Sequence, residues 1–352
     1  MQLAAVIIIY RIFTLMTYIP LIENGHSLKV QLCSAAASTL IQALMLIPSV
    51  LLFSDRDSSD EKGGICEKVL AKNRFWGYII TPLYYIYFIL AAAFSALDFT
   101  EFIGSRFIGS VPEWITLLLI ILVCLYCAWC GIEGIGRAAP VVITGFIIML
   151  IVMLCGGMER IDPENIQGEF ISDSFLKALY NDLSRSSELT MLCFGGKYIV
   201  NNFRKSAYSA LAVRLVCTVI TVLGAVLVLG DYVYMCSYPF LNIGSTAGVR
   251  FLQRIDSVYM IIWVLAAVIS LSAALYMASD VLKTAAPTLK RGTVTAVSAL
   301  LLFIAALPYA LSGKEAELYK NISAFPVQLV TAVLIPLIIL MTTKKGKANE
   351  NK

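Results

Sequence analysis

Histidine is all but missing from this chain, with His26 the single one among 352 residues. Imidazole is the usual general base and metal ligand near neutral pH, and without a second His no convergent acid–base or metal set is visible. There is also no P-loop, no dinucleotide fingerprint and no H-E-x-x-H pattern. These absences exclude an ATP-driven pump built from this chain alone, and they argue against an enzyme and against a bound cofactor. Charge is scarce as well, at 14% of residues against 59% apolar, with a mean hydropathy of +0.82. Ordinary soluble domains carry about 25% charged residues, so the balance points to a polytopic membrane protein surrounded by lipid rather than a nucleic-acid binder. The N-terminus has no basic leader and no small-residue cleavage site, with bulky Leu21 and Ile22 after Pro20, so it reads as a first helix and not as a signal peptide. That helix starts so near Met1 that a few flanking residues are expected upstream.

What is present in quantity is long apolar runs. A spanning helix needs about 20 such residues, because amides in hydrocarbon must bond within their own segment. Ten segments are expected, near 3–22, 29–53, 75–101, 112–131, 138–157, 186–200, 207–230, 257–280, 292–311 and 323–342. If the N-terminus is cytoplasmic, the inner connections hold sixteen Lys and Arg and the outer ones nine, so both termini are expected inside. Five segments on each side of the 158–185 connection suggest two halves, 3–157 and 186–342, in one membrane domain with a tail at 343–352. An odd number of spans per half inverts the second copy.

Segment 186–200 (SSELTMLCFGGKYIV) is the least regular. Its fifteen residues reach only about 22 Å of a roughly 30 Å core, and it carries Glu188 and Gly195-Gly196. It matches in position the first segment, which Arg11 interrupts. Two interrupted segments in corresponding places are the sequence pointer to a transporter-type site at the bilayer midplane. Arg11 either faces the bundle interior, pairing with Glu188 or with a ligand carboxylate, or it snorkels to the inner surface. Glu188 sits where a helix starts and serves a ligand, an ion pair or a cap. Thr190 is a candidate hydroxyl donor, and the glycine pair either exposes backbone to a ligand or packs closely.

Tyr10, Arg11, Thr14 and Thr17 form a polar stripe, although threonines also bond back to their own helix. Tyr84, Tyr85 and Tyr87 either close a pocket or belong to an aromatic belt, with Asp98 and Glu101 further along the same segment. Ser270, Ser272 and Tyr276 give the eighth segment a small polar face before Asp280. Cys124, Cys127 and Cys130 lie three apart in an apolar run with no His or carboxylate among them, and packing accounts for them better than metal does. In the connection, ISDSFLKALYNDL places Phe175, Leu176, Leu179, Tyr180 and Leu183 at helical spacing, with Ser172 or Ser174 as N-cap. An amphipathic helix on the outer face is expected there. The 55–74 loop, charged and bearing Gly63-Gly64, reads as a solvated linker, and YPFLNIGSTAGVRFLQRID at 238–256 as a second outer cap.

Four blocks then carry a resemblance. GIEGIGRAAPVV at 131–142 has Glu133 and Arg137 in place and Pro140 where a carboxylate is usual. YYIYF at 84–88, SELTMLCFGGKYI at 187–199 and the long run 238–276 follow in order. The chain resembles the GerAB/GerKB spore germination permeases, within the amino acid, polyamine and organocation transporter superfamily. The resemblance implies an all-α fold of about ten transmembrane helices, a LeuT-like 5+5 inverted repeat with helices 1 and 6 broken around a small-molecule site. It implies a germinant receptor B subunit in the cell or spore inner membrane, recognising a small germinant, most often an amino acid, and signalling through an A subunit and a lipoprotein C subunit. A stand-alone amino acid or organic cation permease is the alternative. The ligand-binding set expected is Arg11, Thr14, Thr17, Tyr84, Glu188, Thr190, Gly195, Gly196, Ser272 and Tyr276. Glu133 and Arg137, four apart, are expected to pair as a structural clasp.

Overall fold

The computed structural model describes residues 2–17, 28–54, 64–72, 74–106, 111–162, 165, 172–199, 202–236, 238–246, 256–312 and 325–341. Among them the regular structure is entirely helical. The first helix, α1 (Gln2–Thr17), runs unbroken through Arg11, so the interruption there is of polarity and not of backbone. Next come α2 (Leu28–Met45) and, after a turn at Leu46, α3 (Ile47–Ser54), which together make the second span. A short α4 (Ile65–Lys72) follows, then α5 (Arg74–Arg106), α6 (Glu113–Cys130) and α7 (Ile132–Gly156). The connection holds α8 (Ser172–Ser184). The second half contains α9 (Glu188–Phe194), α10 (Phe203–Leu229), α11 (Pro239–Thr246), α12 (Asp256–Ala285), α13 (Arg291–Ser312) and α14 (Phe325–Leu329). A π-helical turn, Val330–Leu334, carries α14 on toward Met341.

Among the described residues seven helices are long and apolar enough to cross a membrane, and two shorter apolar ones, Leu3–Thr17 and Phe325–Met341, stand at the first and tenth positions. The sixth position is broken: α9 has only seven residues before Gly195–Tyr198 tightens into a 3-10 turn. Interior prolines Pro82, Pro140 and Pro308 do not end their helices.

The bundle is organised around α12. Its residues from Ala266 to Ala278 are nearly all buried and mostly small: Ala266, Ala267, Ser270, Ser272, Ala273, Ala274 and Ala278. Small side chains let helix backbones approach where dispersion drives association, and α5 packs most extensively here, with Phe99 and Phe102 against the Trp263 ring. These are the third and eighth segments, corresponding members of two five-helix halves. The outer helices turn large apolar side chains outward instead, among them Leu119, Leu122 and Tyr126 on α6 and Ile147, Ile148 and Ile151 on α7. That is the surface lipid requires.

Two expectations are corrected. The 55–74 loop is not simply a linker, because α4 buries Ile65, Cys66 and Val69 against α5. The connection helix exists, but its apolar stripe is split: Leu183 is buried, Phe175 and Leu179 are half-buried, and Leu176 and Tyr180 are 65% and 49% exposed, while Ser174, Ala178 and Asp182, one turn apart, are buried. A charge partner explains this orientation, as described below. Of the second outer cap only α11 and its close flanks are described; the remainder, like His26 and the tail, lies outside the described residues.

Candidate functional site

A narrow cleft opens between α1, α5 and the α8–α9 junction. Its aromatic walls are Phe13, Tyr87 and Phe94, and its polar groups are Tyr10, Thr14, Ser95, Asp98, Arg185 and Ser187. The Tyr10 hydroxyl ties the three elements together, accepting from Ser187 Oγ at 2.9 Å and lying 3.2 Å from Ser95 Oγ. Thr14 Oγ1 donates to its own helix, to the Tyr10 carbonyl at 3.0 Å. One acid, one base and several hydroxyls on aromatic walls suit a small ligand with charge of both signs.

Directly behind the cleft lies a cluster of four buried charges. Arg11 Nη2 donates to Asp182 Oδ1 at 2.5 Å, and Arg214 Nη2 donates to Asp182 Oδ2 at 3.1 Å. Glu188 Oε1 stands 3.0 Å from Arg214 Nε and 3.9 Å from Arg11 Nη1. Ser38 Oγ also donates to Asp182, and Arg214 Nη2 donates to Ser186 Oγ at 2.9 Å. All four charged side chains are at most 4% exposed. Burying a charge is tolerated only when it is paired and hydrogen-bonded, and here two cations meet two anions. Burial alone would raise the Asp182 carboxyl, but Arg11 and Arg214 prevail and hold it at about 2.

Each expected site residue has a definite place. Thr14 lines the cleft. Arg11 and Glu188 do meet, though at 3.9 Å, and Asp182 is the main partner of Arg11. Thr17 Oγ1 bonds the Phe13 carbonyl and accepts from Trp263 Nε1 at 2.9 Å. Tyr84 donates to the Thr331 carbonyl at 2.5 Å, and Thr190 Oγ1 lies 2.9 Å from Thr331 Oγ1, so both join α5 and α9 to the tenth segment. A Cβ on Gly195 would come within 2.6 Å of Leu3, and one on Gly196 would run into the Phe53 ring, so the pair serves close packing. Ser272 is fully buried in α12, and the Tyr276 ring carries the Arg291 guanidinium at 4.6 Å; neither residue lines the cleft. Glu133 and Arg137 pair at 2.5 Å on an exposed helix face, as their spacing predicts. Most contributors lie outside the expected ligand-binding set: Tyr10, Ser95, Asp98, Arg185 and Ser187 on the cleft, and Ser38, Asp182 and Arg214 in the cluster. Asp182 falls in the stretch read as an amphipathic helix, Arg185 in the outer connection, and Arg214 in the seventh apolar segment as an intramembrane or boundary residue.

The model of the family described as "Spore germination protein" matches residues 38–313, most of the chain. The chain belongs to the spore germination protein family. No curated protein is similar enough to match. Among solved structures, the family member is similar to MhsT in complex with L-phenylalanine, at 12% identity and a TM-score of 0.68, covering 97% of this chain and 98% of that one. It is also similar to a Na⁺-coupled sialic acid symporter in a substrate-bound outward-open state, at 13% identity and a TM-score of 0.64, covering 94% of this chain and 76% of that one. Likeness at such identity bears on the fold, and the fold is LeuT-like: an integral membrane permease architecture with the sixth helix broken at Gly195–Tyr198.

Proposed function

We propose that this protein is the B subunit of a germinant receptor that holds a small zwitterionic germinant, most simply an amino acid, in the Tyr10 cleft and signals through A and lipoprotein C subunits. The observation that carries the reading is the pairing of Asp98 and Arg185 on one cleft with the hydroxyls of Tyr10, Thr14, Ser95 and Ser187. Asp98 takes the ammonium and Arg185 the carboxylate, while Phe13, Tyr87 and Phe94 accept the side chain. The cluster of Arg11 and Glu188 lies one helix face away and fixes the cleft wall. The excess of Lys and Arg on one set of connections supports cytoplasmic termini with α8 on the outer side, the two halves 3–157 and 186–342 forming one domain. A bound ligand biases the bundle only by its difference in affinity between the open and closed arrangements.

The test is thermal unfolding of the purified protein in detergent against the twenty amino acids, inosine and common sugars, because a ligand specific to the folded state raises the midpoint. A selective rise that disappears in Asp98→Asn and in Arg185→Gln supports the cleft. A hit indifferent to both substitutions moves the site elsewhere.

The similar solved structures belong to transporters, which favours a second reading as a stand-alone permease. Uptake of the identified ligand into liposomes containing this chain alone would establish that reading, and binding without uptake the receptor.

A further inference from the structure

Asp182 comes to the cluster from the connection between the two halves, whereas the groups that receive it belong to the bundle itself. Arg11 on α1, Arg214 on α10 and Ser38 on α2 all donate to its two oxygens. Two guanidiniums and a hydroxyl converging on one carboxylate are the parts of a carboxylate receptor. The guanidiniums also keep donors in reserve. Arg11 Nε and Arg214 Nη1 are buried without a hydrogen bond, Arg214 Nε is engaged only by the Glu188 carboxylate at 3.0 Å, and both arginines line a second, small cavity beside the cluster. Glu188 contributes the remaining charge, with neither oxygen in a hydrogen bond.

We propose that Arg11, Arg214 and Ser38 form a binding site for a small carboxylate, and that the chain fills it with its own Asp182 as an internal stand-in. The occupant holds α8 down on the bundle. This accounts for the orientation of α8, which leaves Leu176 and Tyr180 exposed in order to bury Ser174, Ala178 and Asp182. It also links the site to the cleft without depending on what fills the cleft: Arg185, three residues beyond Asp182, is a cleft residue, so the seating of α8 positions one cleft wall. Without Asp182, two buried guanidiniums face the single carboxylate of Glu188, an uncompensated positive charge that a small anion of the right shape neutralises.

Asp182→Ala deletes one carboxylate and leaves space for one formate ion. The full-length variant, purified in detergent, is melted in increasing formate and, at equal ionic strength, in chloride. The expected result is a saturable rise of several degrees with formate, a much smaller one with chloride, and none in wild type or in Asp182→Ala/Arg214→Met. Equal effects of formate and chloride, or no response to either, overturn the proposal. If Asp182→Ala does not fold in chloride, the yield of monodisperse protein from cells and buffers supplied with formate replaces the melting curve. A yield no better than in chloride then overturns it equally.

Discussion

Tyr10 and Arg11 are neighbours in α1 and serve different compartments. The Tyr10 hydroxyl meets Ser187 and Ser95 on the cleft, whereas the Arg11 guanidinium meets Asp182 at 2.5 Å behind it. Successive residues on a helix point about 100° apart, so a single turn of α1 forms the partition between them. The same division recurs at the α8–α9 junction, where Ser186 faces the charges and Ser187 the cleft. A movement at either place reaches both compartments.

Removing Arg214 leaves Glu188 without its near partner, since Arg11 stands 3.9 Å away. Breaking a buried pair on one side costs about 3–5 kcal/mol. Arg214→Gln is expected to lower the melting midpoint more than Arg11→Gln does. Arg214→Gln/Glu188→Gln, with its charges balanced again, is expected to recover part of the loss.

Tyr10→Phe deletes the hydroxyl shared by Ser187 and Ser95 and nothing else. An unmet buried polar group costs about 1–3 kcal/mol, so a modest destabilisation is expected. Ligand affinity, measured by the thermal titration, is expected to fall more than it does in Tyr85→Phe, whose hydroxyl meets Ser298 on α13.

At Gly196 the Phe53 ring lies where a Cβ would stand. Gly196→Ala is therefore expected to cost about 1–3 kcal/mol by overpacking, and Phe53→Leu in the same protein to return some of it. Equal melting of Gly196→Ala and wild type would show that the broken sixth segment yields without cost.

Lys197, within that break, reaches Glu67 on α4 at 3.0 Å and also pairs with Asp280 on α12. It clasps α4 over Cys66, which is 2% exposed and whose thiol burial pushes up to about 12. Lys197→Met is expected to increase alkylation of Cys66 several-fold, read residue by residue by mass spectrometry. Labelling of exposed Cys33 and Cys130 is expected to stay constant. Glu133→Gln makes a useful contrast: its exposed pair with Arg137 is screened, and a change within about 0.5 kcal/mol is expected.

The sequence alone was enough to establish the membrane class, the ten apolar segments, the broken sixth and the family. Each of these rests on a local property, a run length or a polar interruption, that lipid imposes on every segment separately. The Glu133–Arg137 pair was legible for the same reason, since a four-residue helical spacing fixes its geometry. The face of α8 was not. Its apolar period favoured Phe175, Leu176, Leu179, Tyr180 and Leu183 together, of which Leu183 is buried, and only folding brings Arg11, 171 residues away, to Asp182. One buried ion pair outweighs a stripe of apolar side chains that can equally face lipid, so orientation followed charge. For the same reason the cleft belongs to the tertiary structure: Tyr10, Ser95, Asp98, Arg185 and Ser187 come from three separate stretches, and no spacing within any one of them announces the others.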